Sequence, residues 1–282
     1  MVEIAICLAI IGIALVSIIG VLPIGMNTQR DNREETIINQ DATILMEAIR
    51  GGARGMDDLT NYVYAITNFW TKYDDKGAVL NSGADGHTNS PDLLTNGMNI
   101  VGMLSTPEFL HPTTLNPINS LFGGGYSNHI VAYVRSMSGP AIEKPLQDND
   151  LVRGDSFGYR LLCVNAPIQS GPVPPIWQAQ AYNQGDQVYW NYKIWQARGA
   201  TTASDVPGTA SDWSPLNYGT DLSANLHEIR LTFFWPQQPN GSLGPGRQTF
   251  RTLIAGQVTR DPILTNLYFY ASQSFVNVTN AP

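Results

Sequence analysis

The chain has 282 residues, enough to bury a core, and a formal net charge of −7 from 16 Lys and Arg against 23 Asp and Glu. Its basic residues form no cluster, which argues against a nucleic-acid partner. Charged residues make up 14% of the chain, while Gly, Pro, Asn, Ser and Thr are frequent. This composition is typical of a loop-rich exported β protein.

An uncharged apolar stretch begins directly after Glu3. From Ile4 to Ile24 almost every residue is apolar, and about 21 residues of helix measure roughly 31 Å, enough to cross a bilayer. The stretch has neither the basic n-region nor the small-residue cleavage site of a secretory signal. We predict a membrane helix, for which a plain single-pass anchor is the simplest interpretation.

Glu3 argues for more than an anchor. A carboxylate at the mouth of an apolar stretch is costly to bury unless a partner charge is supplied. In a bundle of parallel helices shifted along an axis, Glu3 of one copy meets the N-terminal amine of its neighbour, and the two charges neutralise each other. We therefore expect this helix to assemble with copies of itself.

Two runs near the N-terminus carry a family resemblance: Met1-Val2-Glu3-Ile4-Ala5-Ile6 and Ala9-Ile10-Ile11-Gly12-Ile13-Ala14. Over residues 1–30 the chain resembles the mature N-terminus of type IV pilins and type II secretion pseudopilins. The resemblance implies cleavage by a prepilin peptidase and methylation of the new N-terminal residue. It also implies a bacterial inner-membrane stage, a pilus assembly machinery, and then an extracellular helical homopolymer at the cell surface.

The position of the glutamate departs from the family pattern. The family's glutamate normally has four residues before it, whereas Glu3 has two. Either two residues are absent before Met1 or cleavage is unusual here, so the methylated residue stays unassigned. The spacing from Glu3 to Gly12 fits the family, which favours the first explanation.

Several residues in the apolar stretch weaken a helix. Gly12, Gly20 and Gly25 have low helix propensity, and Pro23 lacks a backbone donor and clashes with the preceding turn. We expect a kink or a melted stretch from Gly20 to Gly25, and we assign assembly roles to these four residues together with Glu3.

The helix is predicted to continue in water over residues 28–50. Its apolar residues share one face that should pack on the head: Ile37, Ile38, Ile44, Leu45, Ala48 and Ile49. Gly51, Gly52 and Gly55 should end it, and Asp57-Asp58 should cap a second short helix running to about Phe69. The helix thus forms a first unit of residues 1–55, with its membrane or filament part at 1–27.

The rest of the chain is predicted to form a β-rich head from residues 56–172 and 218–282. The Gly-, Asn- and Asp-rich stretch from Asp74 to Pro91 is expected to be a surface loop. Strands are expected at Ile130 to Met137, Phe157 to Val164, Glu228 to Trp235, Gln248 to Gly256 and Leu267 to Ser272. Asn240-Gly241 should turn a hairpin between two of them. The fold class is therefore α+β, with the long helix packed on an antiparallel sheet.

Residues 173–217 differ in character and are interpreted as an inserted β module. They hold four of the six tryptophans: Trp177, Trp190, Trp195 and Trp213. The pattern resembles small chitin- and cellulose-binding modules of bacterial chitinases, which implies glycan binding at Trp177, Tyr189 and Tyr192. However, Arg198-Gly199-Ala200 stands where those modules present exposed aromatics. The alternative is that the tryptophans form the core of a module too small to be stable otherwise.

The sequence predicts no enzyme and no metal site. His227-Glu228 opens like a zinc protease motif, but Leu231 stands where the second histidine is needed. Acidic loops offer oxygen ligands that suit calcium, although their spacing matches no template: Asp74-Asp75, Asp85, Asp148-Asn149-Asp150 and Asp155. We therefore expect no cofactor, with calcium as the alternative. Cys7 and Cys163 are too differently placed for a disulfide.

These patterns predict a structural subunit of a type IV pilus-like or type II secretion pseudopilus-like filament. One alternative is a minor or tip subunit that displays the tryptophan-rich module to a polysaccharide for adhesion. A second is a membrane-tethered hydrolase or sensor, for which the sequence offers no catalytic constellation.

Overall fold

The computed structural model of the chain describes residues 2–52, 57–88, 94–121, 123–139, 156–168, 174–191, 193–216, 224–264, 266–271 and 274–275, and only the backbone of 21–24. In these ranges the helices are α1 (Val2–Gly51), α2 (Leu59–Tyr62) and α3 (Gly97–Leu104). The strands are β1 (Val63–Tyr73), β2 (Val79–Thr88), β3 (Phe109–Leu110), β4 (Gly125–Arg135), β5 (Gly158–Pro167), β6 (Gln187–Trp190), β7 (Lys193–Ala197), β8 (Trp213–Leu216), β9 (Leu226–Gln237), β10 (Leu243–Ala255), β11 (Gln257–Arg260) and β12 (Tyr268–Ala271).

The helix α1 is 50 residues long and continues without interruption from Gly20 to Gly25. The melted stretch expected there is absent from the described backbone of the single chain, which is helical on both sides of Pro23. An apolar segment keeps its helix because no other conformation satisfies its backbone internally. The helix ends at Gly51, and Gly52 follows it with a φ of 65°, the left-handed cap conformation that glycine adopts without steric cost.

The second half of α1 packs on the head along one face. Its buried apolar residues are Ile37, Ile38, Ala42, Leu45, Ala48 and Ile49. The predicted face is confirmed except at Ile44, which is 36% exposed. Ala42 belongs to the face instead, because residues 38, 42, 45 and 49 follow the helical repeat more closely.

The main sheet has the strand order β10-β9-β5-β4-β1-β2, with β3 beside β4. Every pairing between these strands is antiparallel. The predicted strands around Ile130, Phe157, Glu228 and Gln248 are confirmed as β4, β5, β9 and β10, and Gly241 lies in the turn of the β9–β10 hairpin with a φ of 82°. One face of the sheet lies in the core shared with α1, so the expected α+β class is confirmed.

Three expectations for the head were wrong. Residues after Tyr62 form β1 instead of a helix to Phe69, because Ala65 to Tyr73 pair with both β2 and β4. The stretch from Asp74 to Pro91 is largely β2 rather than a loop, and Asp74 closes the turn by accepting bonds from the amides of Lys76 and Ala78. The strand predicted from Leu267 to Ser272 is confirmed as β12, but it pairs with β11 in a separate two-stranded sheet instead of joining the main sheet as expected.

The tryptophan-rich segment forms its own three-stranded antiparallel sheet, in the order β6-β7-β8. A separate small core supports this sheet, built from Tyr182, Val188, Ala197 and Trp213. The Tyr182 and Trp213 rings meet edge to face at 5.4 Å, and the Trp213 indole donates to the Asp205 carbonyl at 2.7 Å. Trp213 is therefore a core residue, as the alternative interpretation of the tryptophans expects.

Candidate functional site

The first half of α1 is an exposed apolar surface over residues 2–20. Every residue in this range is exposed. Large apolar side chains project from all sides: Val2, Ile4, Ile6, Leu8, Ile10, Ile11, Ile13, Leu15, Val16, Ile18 and Ile19. This helix is long and apolar enough to cross a membrane.

Glu3 lies in the first turn of α1 and is exposed. A carboxylate in this position interacts favourably with the positive end of the helix dipole. Among the described residues, none forms an ion pair with Glu3. The carboxylate is therefore free to meet a cation from another molecule.

The three glycines of the exposed half have no packing role within the chain. A Cβ added to Gly12, Gly20 or Gly25 would meet nothing within 4 Å. Each costs about 1 kcal/mol of helix stability relative to alanine, and contacts inside the single chain do not offset that cost. At Pro23 the backbone remains helical.

Of the three residues predicted to bind glycan, the structure describes Trp177 and Tyr189. Tyr189 lies on β6 opposite Ile194 and is 5% exposed, so its ring offers little surface to a ligand. Tyr192 lies outside the described residues. Trp177 is partly exposed, meets Trp190 edge to face at 4.9 Å, and its Nε1 has no partner among the described residues.

Of the acidic residues considered for calcium, Asp74, Asp75 and Asp85 lie within the described residues. Asp74 closes a turn, whereas Asp148, Asn149, Asp150 and Asp155 lie outside the described residues. In the described ranges, no group of three or more His, Cys, Asp or Glu side chains is arranged to hold a metal ion. Calcium in a head loop therefore stays a prediction that no contact supports.

His227 is a buried core residue of β9. It is 2% exposed, and its ring meets that of Tyr270 edge to face at 5.7 Å. Burial lowers the pKa of His227 to about 4, although a hydrogen bond with the Ala224 backbone opposes the shift. The imidazole is therefore neutral at pH 7, and the adjacent Glu228 interacts with Arg251 at 3.7 Å.

A cavity of about 510 Å³ lies against β1, β2 and β4 of the main sheet and was not expected from the sequence. We name it the Asn-pair cavity after two of its lining residues; the lining includes Asn68, Trp70, Asp85, Asn128 and Tyr268. Part of the lining comes from β1 and β2, which the sequence did not predict as strands. Ile66, Asn68 and Trp70 are spaced two residues apart and therefore share one face of β1. This period of two was the sequence signal that could have predicted the strand and its cavity-lining face.

The Asn-pair cavity continues the core face of the sheet. Asn68 pairs with Ile130 across β1 and β4, and Trp70 pairs with Asn128, so the two asparagines are diagonal neighbours on one face. Tyr268 closes one side, since its hydroxyl donates to the Leu115 carbonyl at 2.8 Å.

Two features of the described chain are therefore candidates for function, namely the exposed half of α1 and the Asn-pair cavity. The exposed half of α1 is a large apolar surface, which is typical of an interaction site. The Asn-pair cavity is a concave site lined by apolar and polar side chains, which is typical of a ligand-binding pocket. Comparison with known proteins found no match: no family model, no curated protein and no solved structure is significantly similar to this chain.

Proposed function

We propose that the chain is a structural subunit of an extracellular type IV pilus-like or type II secretion pseudopilus-like filament. The observation that carries the proposal is the division of α1 into two halves. One half is built into the core of the head, and the other carries exposed apolar side chains on every side over residues 2–20. In the filament, copies of the exposed half pack side by side and the heads face outward.

The apolar half requires two successive environments under this proposal. Each large aliphatic side chain that leaves water gains about 1.5–3 kcal/mol, so the exposed half does not remain in water. It lies in the inner membrane before assembly and among neighbouring helices afterwards. Transfer from lipid to a helix bundle changes this hydrophobic free energy little, because both surroundings are apolar. Specific contacts then determine how the subunits are aligned.

Glu3 supplies one such contact. It stands at the beginning of the apolar half without an ion-pair partner among the described residues. Pairing with the N-terminal amine of a neighbour neutralises both charges in an apolar bundle. Only one axial shift between adjacent helices brings the two groups together, so the pair also sets the register.

The small residues supply a second contact. Gly12, Gly20 and Gly25 leave open space on the helix surface, and small residues allow helix backbones to approach closely in apolar surroundings. Their cost to the isolated helix is then offset by packing between subunits. Melting from Gly20 to Gly25 belongs to the assembled state in this proposal, since Pro23 makes this part of the helix the easiest to unwind.

A second candidate function is adhesion by a minor or tip subunit that presents the tryptophan-rich module to a polysaccharide. The partly exposed Trp177, with an unpartnered indole nitrogen among the described residues, favours it. The burial of Tyr189 argues against it. Quantifying the subunit along isolated filaments separates a tip protein from the main building unit.

The first experiment is intact-mass and N-terminal peptide analysis of protein sheared from cell surfaces. A methylated N-terminus at Met1, or two residues before it, together with recovery in the sheared fraction, supports the filament proposal. A chain that keeps an unmethylated leader and is found only in membranes contradicts it and supports the single-pass anchor.

A further inference from the structure

We propose that the Asn-pair cavity is a binding site for a neutral saccharide ring. The cavity is formed by the head, away from the exposed half of α1 and from the tryptophan-rich module. The inference is therefore independent of filament assembly and of the module.

The first argument is an aromatic wall held in a fixed position. The Trp70 indole lies directly on Gly83 of β2, where an added Cβ would be 2.5 Å from Cζ2 of the ring. Tyr126 meets the indole edge to face, with ring centroids 5.8 Å apart. A flat aromatic surface suits the apolar face of a pyranose, and a ring that is already immobilised loses little entropy when a ligand binds.

The second argument is an incomplete hydrogen-bond pair on the cavity lining. The Asn68 amide donates to the Asn128 carbonyl oxygen at 3.2 Å. Oδ1 of Asn68 and Nδ2 of Asn128 remain buried and without partners among the described residues. If both side-chain amides are flipped, the donor and the acceptor exchange places. In either orientation, one amide oxygen and one amide nitrogen of the pair are left without a partner.

A buried polar atom without a partner is uncommon and points to an absent one. Asn128 is 4% exposed, so bulk water does not reach it freely. A hydroxyl group both donates and accepts, so a sugar hydroxyl that reaches the pair through a small shift of the neighbouring side chains would bond to Oδ1 of Asn68 and Nδ2 of Asn128.

The third argument is charge. Asp85 is exposed at the edge of the cavity, and among the described lining residues there is no lysine or arginine. An anionic ligand would meet the Asp85 carboxylate without a lysine or arginine among the described lining residues, which is unfavourable. The volume of about 510 Å³ lies within the range of small-molecule sites. These features together favour an uncharged, hydroxyl-rich ring over a phosphate or a uronic acid.

The test is calorimetric titration of the full chain in detergent micelles with glucose and galactose, and with glucuronate and galacturonate as their anionic counterparts. We expect at least one hexose to bind and its uronic acid to bind about tenfold more weakly. Asn128→Asp removes the free donor at constant size and should weaken hexose binding about tenfold. Phe275→Ala removes an exposed ring outside the cavity lining and is the control that should leave binding unchanged. Loss of hexose binding in Trp177→Ala would instead assign the binding to the tryptophan-rich module.

A second variant, at the exposed edge of the cavity, tests the site without altering a buried residue, so its result does not depend on whether the Asn128→Asp protein folds. Asp85→Asn removes the carboxylate from an exposed position and should narrow the difference between the hexose and its uronic acid. The proposal is wrong if neither hexose binds, if the uronic acid binds as tightly as its hexose, or if Trp177→Ala abolishes binding.

Discussion

The hydroxyl of Tyr159 donates a 3.0 Å hydrogen bond to the carboxylate of Asp41, which joins the long helix to the centre of the main sheet. The amides of Met137 and Ser138 donate to the same carboxylate at 2.9 Å each, and the Ser138 hydroxyl donates to it as well. Asp41 is fully buried. These donors replace the water that the carboxylate loses, and they fix α1 on the head.

Replacing Asp41 should therefore destabilise the head. Asp41→Ala leaves buried donors without an acceptor, and we expect the free energy of unfolding to fall by about 3 kcal/mol or more. Tyr159→Phe removes a single bond to a charged group and should cost about 1.5–3 kcal/mol. Urea unfolding of the full chain in detergent, followed by near-ultraviolet circular dichroism, measures both.

The matched control is Asp31→Ala on the same helix. Asp31 is exposed, and its removal should change the free energy of unfolding by less than about 0.5 kcal/mol. Equal urea midpoints for the Asp41→Ala and Asp31→Ala proteins would show that Asp41 does not hold the helix on the head.

The buried His227 should make stability depend on pH in a defined window. Its pKa falls from the usual 6.5 to about 4 on folding. Between these two pH values, the unfolded chain binds a proton at His227 and the folded chain does not. The contribution of the neutral His227 to the free energy of unfolding is therefore complete above pH 6.5 and is lost as the pH falls towards 4. The difference between the two pKa values corresponds to about 3 kcal/mol.

The variant His227→Phe keeps a ring against Tyr270 and removes this titration. We expect its free energy of unfolding to decline less than that of the native chain between pH 6.5 and 4. Parallel curves for the two proteins over that range would rule out His227 as a source of the pH dependence.

Glu3→Ala should separate membrane insertion from assembly. The apolar stretch is unchanged, so the subunit should insert normally, as cell fractionation can measure. Loss of a charge-assisted contact at each interface should reduce sheared filament on the order of tenfold. Glu35→Ala, at an exposed position in the head-bound half of the same helix, is the control and should assemble normally. Normal filament yield from Glu3→Ala would disprove the pairing.

Gly83 and Gly86 on β2 offer a paired test of how Trp70 is seated. In Gly83→Ala, the new Cβ would stand 2.5 Å from the indole, so the ring must move, and we expect a cost of about 1–3 kcal/mol. In Gly86→Ala the nearest atom is 3.6 Å away, which is ordinary contact. Thermal unfolding should therefore separate the two variants, and equal melting temperatures would contradict the close packing.

The strongest sequence signals predicted the elements that local pattern determines. The apolar run after Glu3 and the helical spacing through Ile49 predicted α1, and alternating β-branched and aromatic residues predicted β4, β5, β9 and β10. Here the local pattern and the tertiary structure favour the same conformation.

The errors occurred where long-range pairing overrides local preference. Gly83 and Gly86 weaken a strand when taken alone, but β1 provides a partner along most of β2, and Gly83 makes room for Trp70. The Asn-pair cavity could not be predicted for a related reason. Asn68, Asn128 and Tyr268 are far apart in sequence, and only the sheet register and the return of β12 bring them together.

The unbroken path of α1 has a mechanical consequence. A helix of 50 residues is about 75 Å long, and it behaves as a stiff rod that transmits tension along its axis. Tension on its exposed end enters the head where Asp41 is held by two amides and two hydroxyls from the β4 end and β5. The buried carboxylate is thus the point at which a pulling force passes from the rod into the sheet.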